Sequence, residues 1–365
     1  MTAATALISL SVPTEAPAQA APEAVRTSGN DLWFIRSLPG PEDLVQVPGT
    51  NWIIASSFAG LDSPRTFDGG LALIDPASRT LTKVVLNPAD VARAPYAACR
   101  TPPNPTRFST HGLNIRREAS GRSTLFVVGH GGREAIEVFD VAVTEGRPML
   151  TWIGCVLATD GAFNNSIVGL PDGRILVTDF LHGSKTMADL FANRKTGAVY
   201  RWTPGHTWEK LPGTDLSGPN GIEVSADQRY MFVADSGSAT VLRYDLQAMD
   251  TLPLAIKPGF RTDNVRWTSD GRLLLAGTKA DSTCKPGNQK CPKTLFVKAL
   301  DPDTLALTTL LEMPAAPTFS NLSSALIVED TLWLGAPKGD RIAYKELPRA
   351  TTGRKSTAPR RSRAD

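Results

Sequence analysis

Short apolar runs recur along the whole chain, each bounded by Gly, Pro, Asp or Ser: NWIIASS, GLALID, TLFVVGH, AIEVFDV, RILVTDF, YMFVADS, TVLRYDL, RLLLAGT, TLFVKAL and TLWLGAP. They are rich in β-branched and aromatic residues, and many alternate apolar with polar positions. That is the period of a half-buried strand rather than of a helix. Helical periodicity is hard to find, so the pattern predicts an all-β chain.

The runs also recur in a fixed order. A polar residue opens a short alternating strand, a turn follows about seven residues on, often Asp-Gly, and a strongly apolar strand comes next, with one or two more behind it. NSIVGLPDGRILVTD from 165, NGIEVSADQRYMFVAD from 220 and DNVRWTSDGRLLLAG from 263 show it most clearly. EDLVQVPGTNWIIASS from 42 and HGLNIRREASGRSTLFVVG from 111 are looser copies, and SSALIVEDTLWLGA from 323 completes a set of six. Six four-stranded units, each opening on an inner strand, predict a six-bladed β-propeller spanning 28–348. The last unit has too little chain after DRIAYKEL for a fourth strand. DLWFIRSL (31–38) is expected to supply it, closing the ring and removing its open edges. Two β-sandwich domains are the alternative; the shared phase of the repeat argues against them.

That phase aligns polar residues. Counting back seven positions from the turns at Gly49, Asp172, Asp227, Asp270 and Asp330 gives Glu42, Asn165, Asn220, Asp263 and Ser323. His111 opens the second unit at the same place, and Asn264 follows Asp263. Equivalent positions on the inner strands of a propeller surround its central channel, so Glu42, His111, Asn165, Asn220, Asp263 and Asn264 should converge. Buried there, they need partners. Two carboxylates and several amide oxygens without a thiolate are hard ligands, and they point to Ca²⁺ rather than Zn²⁺ or Mg²⁺.

Composition adds three points. The formal charge of +3 is concentrated in 353–365, which carries five basic residues and one acid, leaving the rest near −1. Nothing in the body implies nucleic-acid binding, and the basic 349–365 tail reads as a solvated end. No apolar run is long enough for a membrane-spanning helix. The first 20 residues run from a short apolar stretch to AQA-AP, like the end of a secretory signal, although the basic start of such a signal is missing. With four cysteines, this predicts a secreted or periplasmic protein. Cys284 and Cys291 enclose a polar Pro/Gly loop and are expected to form a local disulfide. Cys99 and Cys155 are either a second bridge or core thiols. The sequence leaves oligomeric state unread.

The segments PEDLVQVPG, NNSIVGL, GPNGIEVSADQRYMFVAD and TDNVRWTSDG, with THGLNI and VVGH, resemble the paraoxonase branch of the six-bladed calcium-dependent lactonases and arylesterases. More distantly they are similar to the senescence-marker-protein/gluconolactonase group. The resemblance covers roughly residues 30–347. It implies a catalytic calcium on Glu42, Asn165, Asn220, Asp263 and Asn264, and a functional pair in His111 and His130. The gluconolactonase group lacks that pair. The resemblance further implies a second, structural calcium at Asp43 and the backbone of Leu113. There this chain departs, because Ser166 replaces an Asp and one carboxylate is lost.

The expected activity is calcium-dependent hydrolysis of a small-molecule lactone or (aryl) ester. The cation stabilises the developing oxyanion while an imidazole takes the proton from water. His111, lying in the ring, is the expected base and His130 its support; Glu42 is a further candidate. His182, in DFLHGSKT, is a candidate for the pocket mouth. Sugar-lactone hydrolysis, phosphotriester cleavage, a lyase step on the same scaffold, or a non-catalytic ligand-binding propeller with calcium as its axle are the alternatives. The loops FAGLDSPRTFDGG, HGSKTMADLFANRK and KADSTCKPGNQKCPK are expected to set specificity.

Overall fold

A computed structural model describes residues 32–348 except 62–66, 68, 87–90, 286–287 and 289. The signal-like leader and the basic tail lie outside the described residues. Six four-stranded antiparallel sheets follow one another along the chain. Their inner strands are Pro41–Gln46, Ser109–Arg117, Asn164–Gly169, Pro219–Val224, Arg261–Trp267 and Ser324–Val328. Each pairs outward with the strand that follows it, which gives the blades of a propeller.

The sixth blade takes its outermost strand from the other end of the chain. Trp33–Arg36 lies antiparallel to Arg341–Glu346, with Trp33 opposite Tyr344 and Arg36 opposite Arg341. This is the closure the sequence predicts, and it pairs an edge that would otherwise be open.

Six apolar clusters among the described residues fill the spaces between neighbouring blades. The one between the sixth and first blades gathers Ile35, Leu44, Ile53, Trp333 and Ile342, so the closing strand is packed as well as paired. The second strands of the blades, such as Ile53–Ser57, Ser123–His130 and Thr331–Gly335, are therefore buried along their whole length, and this is why those runs read as nearly continuous apolar stretches.

Both cysteine pairs are joined. Cys284–Cys291 closes the loop the sequence marks, and Cys99–Cys155 ties the segment before the second blade to that blade's outer strand. The latter bridge spans 56 residues of sequence, and only the tertiary fold brings its ends together. No helix among the described residues is long and apolar enough to cross a membrane. The helix Met187–Phe191 is one short turn after the third blade's second strand, with Thr186 and Asp189 forming a reciprocal capping box.

Candidate active site

In five of the six inner strands the ladder slips at one place. The register breaks between Pro41 and Leu44, Thr110 and Leu113, Asn164 and Ile167, Pro219 and Ile222, and Thr262 and Val265. The residues inside the breaks are Glu42–Asp43, His111–Gly112, Asn165–Ser166, Asn220–Gly221 and Asp263–Asn264, which are the aligned polar positions. A bulge frees backbone groups and re-aims side chains. Hydroxyls on the second strand take up some of the freed amides: Asp43 N–H donates to Ser56 Oγ (2.8 Å) and Ser166 N–H to Thr178 Oγ1 (2.9 Å). The glycines have a steric cause. A Cβ on Gly112 would stand 2.3 Å from the Asn165 carbonyl oxygen, and one on Gly221 would stand 2.5 Å from the Val265 nitrogen.

The five expected calcium ligands converge. Asn264 Nδ2 donates to Glu42 Oε1 (2.7 Å), and Asn165 Nδ2 faces His111 Nε2 at 3.3 Å. Asn220 hydrogen-bonds Asp263. Carboxylates accept and do not donate, so Asn220 and Asn264 must present their N–H groups to them. Each amide then has its oxygen left over. Asn165 Oδ1, Asn220 Oδ1, Asn264 Oδ1 and Glu42 Oε2 are all buried with no hydrogen-bond partner. Four orphaned acceptors in one place are costly unless a cation binds them.

The acids report the same imbalance. Burial, then the charges of Asp43 and Asp263, hold Glu42 well above the usual carboxylate range, and burial pushes Asp263 up to about 7. No group of three or more His, Cys, Asp or Glu among the described residues is arranged to hold a metal. The donors here are two carboxylates and three amides. That set fits a hard, oxygen-seeking divalent ion such as Ca²⁺.

Beside this ring stands an imidazole chain. His130 Nδ1 lies 2.5 Å from Glu134 Oε2, and His130 Nε2 lies 3.1 Å from His111 Nδ1. Glu134 accepts from His130 Nδ1–H, so His130 Nε2 accepts from His111 Nδ1–H. His111 Nε2 then carries a lone pair, which faces Asn165 and, at 3.9 Å, Glu42 Oε1. Both rings are clamped: His111 stacks on Phe58 (centroids 4.0 Å apart) and His130 on Phe163 (4.4 Å). Burial, then the neighbouring His130, holds the His111 pKa well below its ordinary value, so the ring is neutral at pH 7.

The pair expected to bear a second calcium meets a different cation. Arg266 Nη2 donates to both carboxylate oxygens of Asp43 (2.9 and 2.7 Å) and to the Leu113 carbonyl (3.0 Å), while Nη1 reaches Glu223 (3.0 Å). Asp43 also accepts from the amides of Leu44 and Leu113. With these oxygens already engaged, Asp43 and the Leu113 carbonyl do not fit a second metal. Arg266 and Glu223 were missed in the sequence, as were Glu134, Phe58 and Phe163. A signal for the first two is present: each stands two residues beyond a bulge position, on the same face of its inner strand.

A cavity of about 590 Å³ reaches the ring at Asn220 and Asp263. Leu61, the helix residues Met187, Leu190 and Phe191, and Lys279, Cys284 and Lys293 help to line it, so all three loops expected to set specificity contribute. His182 is not among its lining residues; its Nδ1 lies 2.6 Å from Asp179 and its side chain is 44% exposed.

Residues 157–255 match the family model described as SMP-30/Gluconolactonase/LRE-like region. A search of curated proteins found no match. Among solved structures, the chain is similar to a protein assigned provisionally as a gluconolactonase (17% identity, 88% of this chain and 93% of that one, TM-score 0.51). It is also similar to a luciferin-regenerating enzyme (12% identity, 86% and 93%, TM-score 0.53). At these identities the structural likeness shows the fold alone.

Proposed function

We propose, starting from a six-bladed propeller that carries an SMP-30/gluconolactonase-like region and so groups with that superfamily, that the protein is a calcium-dependent hydrolase of lactones or (aryl) esters. The observation that carries this reading is the set of four buried, unpartnered oxygens beside the Nε2 lone pair of His111, which Asn165 Nδ2 faces at 3.3 Å. Glu42, Asn165, Asn220, Asp263 and Asn264 would hold the cation. When bound, Ca²⁺ supplies a positive centre for the carbonyl oxygen of the substrate, whose charge grows during attack.

The rest of the work falls to the protein's own groups. His111 Nε2 takes the proton from the attacking water. The developing imidazolium keeps its Nδ1–H on His130, and His130 keeps its own on Glu134, so the chain holds the tautomer and spreads the charge. Phe58 and Phe163 fix both rings and help exclude water. This arrangement supports the paraoxonase-like reading over the gluconolactonase group, which lacks the histidine pair. The two disulfides support secretion or a periplasmic location.

The test is hydrolysis of a panel of γ- and δ-lactones and of phenyl acetate, with calcium and with chelator, beside calcium titration of Asn220→Ala. Calcium-dependent turnover, lost with calcium affinity in the variant, is expected. Calcium binding without turnover of any substrate would leave a ligand-binding propeller, and intact calcium affinity in Asn220→Ala would dismantle the ligand set.

A further inference from the structure

The cavity above the ring is chemically divided. Phe180, Leu190, Phe191 and Phe260 give it an apolar wall, while Arg261, Lys279, Lys285, Lys293 and Lys338 bring five cations to it. Two acids line it. Asp263 belongs to the ring, and Asp281 already accepts from the backbone and hydroxyl of Thr283 (2.8 and 2.7 Å).

The cations differ in what holds them. Arg261 is built into the wall: it donates to the carbonyls of Ser236 and Gly237 (2.7 and 2.8 Å) and lies over the Phe191 ring at 5.5 Å. Lys293 is partly buried and donates to Asn321 Oδ1 (2.6 Å). Desolvation, then the charge of Lys338, lowers its pKa. Lys338 is exposed and lines the same cavity, and its charge adds to the cost of keeping Lys293 protonated; an anion seated beside Lys293 offsets that cost. The floor adds a separate sign of a polar ligand. Thr262 Oγ1, on a residue only 1% exposed, has no partner.

We propose that this cavity takes an apolar substrate bearing a carboxylate, its hydrocarbon part against the phenylalanine wall and its carboxylate on Lys293 and Lys338. The identity of the reacting group rests on the hydrolase reading above; the carboxylate subsite stands on the cavity alone.

Two measurements separate the two claims. In the first, calcium-loaded protein is titrated calorimetrically with octanoate and with octanamide. Octanoate is expected to bind about tenfold more tightly or better. The ratio should fall toward one in Lys293→Met/Lys338→Met and persist in Lys293→Arg/Lys338→Arg. A ratio near one in the native protein overturns the proposal. So does a preference undiminished in the methionine variant, because the carboxylate would then be going to the ring cation. In the second, phenyl octanoate is compared with the monophenyl ester of octanedioic acid. The charged ester should show about tenfold higher kcat/KM, a preference that weakens as salt rises. If neither ester is hydrolysed, the hydrolase reading falls and the titration still decides the subsite.

Discussion

His111, His130 and Glu134 form a line in which only the first member faces the ring. Replacing His111 with Gln should cut kcat by about 10²–10⁴-fold, the usual worth of a positioned base. Glu134→Gln should act more gently, lowering kcat by roughly tenfold with KM little changed. It removes a negative charge that favours the imidazolium, so the acid limb of the pH–kcat/KM profile should also move to lower pH. A structural role alone would leave that limb in place. Arg266 is the opposite kind of residue, remote from the expected chemistry and held between two acids. Arg266→Met would leave Asp43 and Glu223 buried without a counter-charge, a loss on the order of 3–5 kcal/mol. Chemical denaturation measures it; a change below about 1 kcal/mol would mean that the ion pairs are dispensable. The ring residues were legible in the sequence because Asn, Asp, Glu and His each opened a repeat at one phase. Glu134 was not, because an acid in a Gly-rich turn is ordinary until the fold sets it against His130.

At the level of the strand, the bulges turn a ladder into a ring of converging polar side chains. Their second position is either a channel-facing side chain, as at Asp43 and Asn264, or a glycine pressed against the next blade. Gly112→Ala would drive a methyl group against the Asn165 carbonyl, which belongs to backbone and cannot swing aside. The expected penalty is about 1–3 kcal/mol, the usual range for overpacking, together with weaker calcium binding because the adjacent ligand is displaced. Parallel denaturation and calcium titrations check both; unchanged calcium affinity would mean that the bulges tolerate adjustment. Strands and their phase could be read beforehand because a period of two survives in single sequences. The bulges could not, since Gly and polar residues at strand starts also suit plain turns. The Cys99–Cys155 bridge was left open for a similar reason: nothing local joins positions so far apart.

For the molecule as a whole, the ring acids link stability to pH and to calcium. In the metal-free protein Glu42 and Asp263 hold protons more tightly when folded than when unfolded, with Asp263 at about 7. The folded state then binds more protons than the unfolded state between about pH 4 and 7. Stability from these groups is therefore greatest at the acid end of that window and lost as pH rises through 7. The proposed calcium would reverse the dependence by binding the ionised forms. Thermal melts in chelator should give a Tm that falls from pH 5 to pH 8, and melts in excess calcium should not. A metal-free Tm that rises over that range would contradict the charge imbalance described for the ring.

The strand Trp33–Arg36 comes early in the chain, and its partner Arg341–Glu346 comes last. A ribosome makes the second about 300 residues after the first, on the order of 15–60 s later at ordinary rates of synthesis. Through that interval the nascent propeller is an unclasped belt, five blades long, with an exposed strand at its leading edge. The finished ring can snap shut only once Arg341–Glu346 is free of the tunnel. Closure of the ring is therefore the last event of its folding, and it depends on two strands made furthest apart in time.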